Sequence, residues 1–151
     1  MATTNIYLTF NGNCEEAFNF YKSVFGGEFS HVARFGEMPP DESYQVSEAE
    51  KNKIMHISLP IGSSVLMGSD TGEQWATSFA QGNNFSVSVS ADSKAEAEKL
   101  FGGLAKYGQI TMPLADTFWG SYFGMIVDQF AINWMVGFDD PSKEKNKGKP
   151  A

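Results

Sequence analysis

The sequence predicts an α+β fold built from two copies of a βαβββ module, and two observations support this fold class. The first is an internal repeat, in which residues 5–13 (NIYLTFNGN) align with residues 84–92 (NFSVSVSAD). The second is that an amphipathic helix pattern and then three short strand patterns follow each of these segments. The two modules are expected to span about residues 4–69 and 83–138.

In the first module, Ile6, Leu8 and Phe10 alternate with polar residues, as is typical of a strand with one buried face. Asn13, with Glu16 three residues later, predicts the start of a helix that stops at a Gly-Gly pair. The apolar stripe predicted for this helix consists of Ala17, Phe20, Tyr21, Val24 and Phe25. Three strands are predicted after it, at residues 28–36, 53–60 and 63–69.

In the second module, residues 85–90 alternate cleanly between apolar residues and serine, which again predicts a strand. Asp92 or Ser93 can cap the following helix, with Glu96 at the capping-box spacing from Ser93. The predicted stripe of this helix is Ala97, Leu100, Phe101 and Leu104. The remaining strands are predicted at residues 109–115, 121–128 and 131–137.

The two modules define one expected domain at residues 1–138, followed by a tail at residues 139–151. The tail carries four lysines against three acidic residues and has almost no apolar side chains to bury, so it is predicted to be disordered. Two long loops are predicted, at residues 37–52 and 70–83. Loops of this length serve either as lids or dimer contacts, or as plain surface excursions.

The charge and composition of the chain exclude several classes of protein. With 18 acidic against 11 basic residues, the net charge of −7 argues against nucleic acid as a partner. The apolar runs are too short to span a membrane, and the N-terminus lacks the pattern of a secretory signal. A single cysteine, Cys14, fits a reducing compartment, so we expect a cytoplasmic protein.

Two segments resemble the vicinal oxygen chelate superfamily, which contains glyoxalases, bleomycin resistance proteins and dioxygenases. They are residues 10–28 (FNGNCEEAFNFYKSVFGGE) and residues 116–136 (DTFWGSYFGMIVDQFAINWMV). Within the superfamily the chain looks most like the PhnB-like branch, over residues 4–138. The resemblance implies that each module is a curved, mixed-sheet half-barrel around a cavity, and it implies a homodimer.

In metal-dependent members of the superfamily, the first and last strands of the two modules supply four metal ligands. The corresponding positions here fall near Asn5, Leu66 (or Met67), Asn84 and Met135. None of these is a histidine or a carboxylate, and thioethers are too soft for an oxygen-rich divalent site. No metal or other cofactor is therefore predicted at these positions, and a divalent metal in a non-standard site stays an alternative.

The face of each predicted sheet that looks into the cavity supplies the candidate ligand-binding residues. They are Tyr7, Thr9, Arg34, Ser86, Ser88, Trp119 and Met135. Arg34 is interpreted either as a contact for an anionic ligand or as part of a salt bridge at the rim. Trp119 and Tyr122 are expected to form a wall of the pocket or, in the alternative, to be purely structural. Trp134 is expected either in the core or at the interface between the modules.

His56, on the predicted strand 53–60, is the best candidate for a general acid or base, because histidine changes charge near neutral pH. Tyr122 is a second catalytic candidate. The alternative for His56 is a hydrogen-bonded histidine with a structural role, and that role is also expected for His31.

Two functions from different classes follow from these residues. The favoured one is a metal-free protein that binds a small, partly apolar molecule in an aromatic-lined cavity. The alternative is a glyoxalase-like lyase or isomerase, with a non-standard metal site or acid–base chemistry by histidine and tyrosine. Methyl transfer, with which relatives of this branch are often labelled, is disfavoured because no glycine-rich loop joins a strand to a helix.

Overall fold

The computed structural model describes residues 1–39 and 45–142. The chain divides into two compact units, with unit 1 ending at Gln81 and unit 2 beginning at Gly82. Within these described residues, each unit has one open, four-stranded mixed sheet and one α-helix of 12 residues. Part of the predicted loop 37–52, namely residues 40–44, and residues 143–151 of the predicted tail lie outside the described residues. None of the described helices has the length and apolar character that a membrane span requires.

The predicted βαβββ order is confirmed in both units, and the two sheets have the same topology. Unit 1 consists of β1 (Ile6–Phe10), α1 (Cys14–Phe25), β2 (His31–Arg34), β3 (Ile54–Ile61) and β4 (Ser64–Asp70). Unit 2 consists of β5 (Val87–Ser90), α2 (Lys94–Ala105), β6 (Gln109–Asp116), β7 (Ser121–Val127) and β8 (Asn133–Asp139). The strand orders are β1-β4-β3-β2 and β5-β8-β7-β6, with β1–β4 and β5–β8 parallel and the other pairs antiparallel.

Several element boundaries differ from the prediction by one to three residues, and β2 differs most. β2 is shorter than the predicted 28–36, because a bulge at Ala33/Arg34 is followed by a short 3-10 helix at Phe35–Glu37. β8 continues to Asp139, so the first residue of the predicted tail belongs to a strand. A second 3-10 helix, Glu73–Ser78, lies in the predicted loop 70–83.

The core of unit 1 forms where α1 covers one face of the sheet. Leu8 and Phe10 of β1 are buried, as the alternation predicts, but Ile6 is exposed. Phe18 of α1 reaches the sheet at Gly68, where an added Cβ would lie 2.6 Å from the Phe18 ring. The predicted helix stripe is therefore partly wrong: Phe18 is buried, whereas Phe20 and two later members of the stripe are only half-buried.

The start of α1 is held by Asp70 and not by the predicted cap, Asn13, whose side chain makes no capping hydrogen bond. The buried Asp70 carboxylate accepts hydrogen bonds from the backbone N–H groups of Gly12 and Cys14, at 3.0 and 2.9 Å. Its second oxygen accepts from the N–H of Ile54, at 2.9 Å.

Cys14 is fully buried, and burial, followed by the charges of Asp70 and a neighbouring glutamate, raises the pKa of its thiol.

The core of unit 2 follows the sequence pattern more closely. Ser93 caps α2 by accepting from the Glu96 N–H at 3.0 Å, and the Glu96 carboxylate accepts from the Asp92 N–H at 3.0 Å. The predicted stripe Ala97, Leu100, Phe101 and Leu104 is buried and confirmed. Phe101 packs on the sheet at Gly124, where an added Cβ would lie 2.5 Å from its ring.

A second buried aspartate, Asp128, organises the connection between β7 and β8. Its Oδ1 accepts from the N–H groups of Phe130 and Ile132, and its Oδ2 accepts from the indole Nε1–H of Trp134 at 2.8 Å. Trp134 is buried, which confirms its predicted place in the core. Ala131 completes the turn with a φ of 65°, a left-handed conformation that favours glycine.

We expect Asp128→Asn to lower the free energy of unfolding by about 2–4 kcal/mol, because an amide nitrogen cannot accept a hydrogen bond from a buried N–H group. Urea unfolding followed by tryptophan fluorescence measures this loss. The control is Asp92→Asn at an exposed position, where the change should stay within about 0.5 kcal/mol. Equal stability of the two variants would contradict the role assigned to Asp128.

Candidate functional site

In unit 1, the sheet face opposite α1 carries Tyr7, Thr9 and His56, which are three of the four site residues predicted for this unit. Gly68 faces α1, so its neighbours Met67 and Ser69 lie on the opposite face. Cross-strand pairing extends this face, because Tyr7 pairs with Met67 and Thr9 with Ser69. Met67 also pairs with Ser58, and Ser58 with His31. We call this surface the histidine face, and it comprises Tyr7, Thr9, His31, His56, Ser58, Met67 and Ser69.

His56 is the best-connected side chain of the histidine face. Its Nε2 lies 2.9 Å from the Oγ of the buried Ser58, and the ring itself is half-buried. The ring centre lies 5.7 Å from that of Tyr7 and 5.4 Å from that of His31. The structure thus places both histidines of the chain and one tyrosine together.

Arg34 and Asn5 are engaged in other contacts. Arg34 forms an ion pair with Glu15 of α1 and donates a hydrogen bond to the backbone oxygen of Asn52. The hydrogen bond between the two side chains raises the pKa of Arg34 and lowers the pKa of Glu15. The Asn5 side-chain oxygen accepts from the Val65 N–H at 3.2 Å. Of the two readings of Arg34, the structure therefore supports the salt bridge.

In unit 2, the sheet face opposite α2 is rich in methionine. Gly124 faces α2, so Phe123 and Met125 lie on the opposite face of β7. Met125 pairs with Met112 of β6 on one side and with Met135 of β8 on the other. Ser88 of β5 pairs with Met135 and ends this row. We call this surface the methionine face, and it comprises Ser88, Met112, Phe123, Met125 and Met135.

Trp119 lies in the turn between β6 and β7, beside the methionine face. Its ring centre is 5.9 Å from that of Phe123 and 5.0 Å from that of Phe118. Trp119 is 44% exposed and Phe118 is 97% exposed. Ser86, half-buried, directly precedes β5. Phe118 and Trp119 extend the methionine face with an aromatic edge at the turn.

Tyr122 does not share a face with Phe123 and Met125. It is on the α2 side, where its hydroxyl donates a hydrogen bond to Glu98 at 3.1 Å and the ammonium group of Lys94 lies 4.5 Å from its ring centre. Desolvation, then the hydrogen bond and charge of Glu98, raise the pKa of Tyr122. Tyr122 is therefore part of the helix–sheet contact, and the structure gives no support to its predicted catalytic role.

The four positions that correspond to the superfamily's metal ligands do not fit a hard divalent ion. Leu66 is buried on the α1 side of its sheet, and Asn5 already bonds to the backbone. Asn84 is exposed, and Met135 offers a thioether. Within residues 1–39 and 45–142, no three histidine, cysteine, aspartate or glutamate side chains are grouped as a metal site.

The paired open sheets define the class of protein, the glyoxalase fold. A solved structure of a glyoxalase/bleomycin resistance protein/dioxygenase family enzyme from Burkholderia phytofirmans superimposes with a TM-score of 0.59 at 15% identity. The match covers 89% of this chain and 97% of that one. The predicted fold class is therefore confirmed.

Within this class, the model of a family described as 3-demethylubiquinone-9 3-methyltransferase matches residues 2–137, and the chain belongs to that family. The crystal structure of PA1353 from Pseudomonas aeruginosa is 40% identical, with a TM-score of 0.75, over 92% of this chain and 98% of that one. A Bacillus cereus structure described as a PhnB protein is 24% identical, with a TM-score of 0.69, over 91% and 99% of the two chains. The resemblance to the PhnB-like branch is confirmed.

His31, Met112 and Met125 are among the residues of these two faces that the sequence did not predict as site residues. His31 was expected to be structural, because it alternates with apolar residues along its strand. Its neighbour on the adjacent strand, Ser58, is set by the pairing of β2 with β3, which the sequence does not show. The two methionines align only once a bulge in β6 shifts the register between Ile110 and Met112. The three methionines lie on three different strands, so no spacing along the chain marks them as a group.

Proposed function

We propose that this protein binds a small, partly apolar molecule on the methionine face, without a metal ion at the four superfamily positions. The row of Met112, Met125 and Met135 across three neighbouring strands is the observation that carries this proposal. All three side chains are half-buried, so they offer apolar surface that is still accessible. Methionine side chains are flexible and polarisable, and they adapt to ligands of varied shape.

The surroundings of the row supply the other parts of the proposed site. Trp119 and Phe123 form the aromatic wall, and their ring contact holds one against the other. Ser86 and Ser88 offer hydroxyl groups at the β5 side, and Ser88 pairs directly with Met135. A mainly apolar surface with a few polar groups at one side is typical of small-molecule sites. The expected setting is the cytoplasm.

We expect Nile red, a neutral apolar dye, to bind saturably to the folded protein with a blue shift of its emission. Met135→Gln and Met125→Gln should each weaken binding by roughly 1 kcal/mol, about fivefold, because each removes apolar contact area. The matched control is Met38→Gln, which changes a half-buried methionine outside both sheets. Absence of saturable binding, or an equal loss in the control, would argue against the methionine face as a binding surface.

The alternative function is an enzyme that uses His56 as a general base. Its support is the hydrogen bond between His56 and Ser58, which fixes the imidazole, and the nearby ring of Tyr7. A fixed imidazole with a neighbouring phenol can remove a proton next to a carbonyl group and return it elsewhere. This arrangement lies in unit 1, so it is independent of the methionine face.

If His56 is a general base, the protein should speed the exchange of carbon-bound hydrogen for deuterium in dihydroxyacetone dissolved in D2O, measured by proton NMR. We expect His56→Gln to lower the rate by about 100-fold, within the usual range for a general base. Tyr107→Phe, at a strongly exposed position, is the control and should keep the full rate. Exchange no faster than in buffer, or unaffected by His56→Gln, would leave binding as the better hypothesis.

Methyl transfer, named in the family description, finds little support in the residues of this chain. The connections from strand to helix are residues 11–13 and 91–93, and the only glycine in these two segments is Gly12. Dinucleotide-binding turns use several glycines so that the backbone can approach a phosphate closely. We therefore do not extend methyl transfer to this protein.

We also infer that the protein is a homodimer. β6 forms one edge of the unit 2 sheet, is eight residues long, and exposes Ile110. Pro113 and two bulges interrupt this edge, so the support for association with another chain comes from its first part, where Ile110 is exposed. Described parts of the two long loops are in contact, since the hydroxyl of Ser47 donates a hydrogen bond to Glu73 at 2.8 Å.

Light scattering after size exclusion should give twice the mass of the 16.6 kDa chain. We expect Ile110→Lys to shift the protein toward the monomer, because a charge at an edge strand opposes pairing. Ser23→Lys, at an exposed position of α1, is the control and should keep the mass of the unchanged protein. A monomeric mass for the unchanged protein at all concentrations would refute the dimer.

A further inference from the structure

We propose that His31 and His56 form a binding site for one divalent transition-metal ion of the imidazole-preferring type, such as Cu²⁺ or Zn²⁺. The site lies on β2 and β3, whereas the four superfamily positions lie on β4 and β8 and before the starts of β1 and β5. It is separate from the proposed ligand site on the methionine face. The inference does not depend on that proposal.

The spacing of the two rings carries this inference. An imidazole nitrogen binds Zn²⁺ at about 2.0–2.1 Å, which puts the ion about 3.2 Å from the ring centre. Two imidazoles on one tetrahedral ion therefore have ring centres about 5.2 Å apart. The centres of His31 and His56 are 5.4 Å apart, with a tilt of 49° between the rings. An ion can thus bridge the two rings with little movement of the backbone.

Ser58 gives His56 the support that metal ligands usually have. When the Nε2–H of His56 donates to the Oγ of Ser58, the lone pair is on Nδ1 and is free for an ion. Partners of this kind fix the tautomer and orientation of ligating histidines. Ser58 is buried and pairs directly with His31, so one residue positions His56 and adjoins both ligands.

The identity of the ion follows from the donors. Imidazole suits Zn²⁺, Cu²⁺ and Ni²⁺, whereas Mg²⁺ and Ca²⁺ require several oxygen ligands. Cu²⁺ binds most tightly among the divalent first-row ions at a given set of nitrogen donors. His31 is exposed and His56 is half-buried, so an ion has access and water can complete its coordination.

The test uses the untagged full chain, which contains two histidines and therefore gives a simple histidine NMR spectrum. Less than one equivalent of Cu²⁺ should broaden the ring signals of both histidines together. Zn²⁺ titration calorimetry should show one site, while Mg²⁺ should produce no binding. Broadening of one histidine alone, or of neither, would overturn the proposal.

Two variants complete the test. His31→Ala should weaken Zn²⁺ binding by at least about tenfold, since the loss of an outer-shell partner alone costs about 10-fold to 100-fold. His31 is exposed, so the variant should fold, and unchanged unfolding in urea verifies this. Ser23→Ala, on the exposed side of α1, is the control and should keep the affinity. An affinity for Zn²⁺ that survives His31→Ala would also overturn the proposal.

Discussion

The architecture of unit 1 depends on one buried carboxylate, that of Asp70. It ends β4 and accepts hydrogen bonds from backbone N–H groups just before α1, at the start of α1 and at the start of β3. The start of α1, the start of β3 and the end of β4 are separate segments of the chain, so a single side chain fixes where the helix meets the sheet. A buried carboxylate is costly unless its oxygens are satisfied, and here the orphan N–H groups of a helix start satisfy it.

In unit 2, the N–H groups at the helix start and the oxygens of the buried carboxylate are also satisfied, but by polar groups in other places. The start of α2 is capped by local residues, Ser93 and Glu96, so no carboxylate from the last strand is needed there. The buried carboxylate of unit 2, Asp128, instead holds the turn before β8 and the indole of Trp134. In both units the position of the helix then decides which alternate residues of each strand face the core and which face away.

This dependence explains what the sequence could predict. Periodicity predicts α2 and its stripe correctly because the cap and the apolar face are both local signals. It misplaces part of the α1 stripe, because the burial of Phe18 depends on Gly68, which lies fifty residues further on. Alternation also separates Tyr122 from Phe123 but does not say which of the two faces the helix covers. In the structure, Phe101 of α2 packs at Gly124, so the helix covers the face that Gly124 shares with Tyr122.

The helix-covered faces of the two units are alike, whereas the opposite faces differ in chemistry. The opposite face has imidazole and phenol rings in unit 1, and thioethers and an aromatic edge in unit 2. Such a difference in chemistry costs little stability, because a side chain on the face away from the helix can change without disturbing the core that the helix covers. Donor groups can therefore move from β1 and β4 to β2 and β3 while the topology stays the same. The absence of the superfamily's ligands from their usual strands therefore says little about the chemistry of the neighbouring strands. The cross-strand pairs show which side chains lie together on those strands.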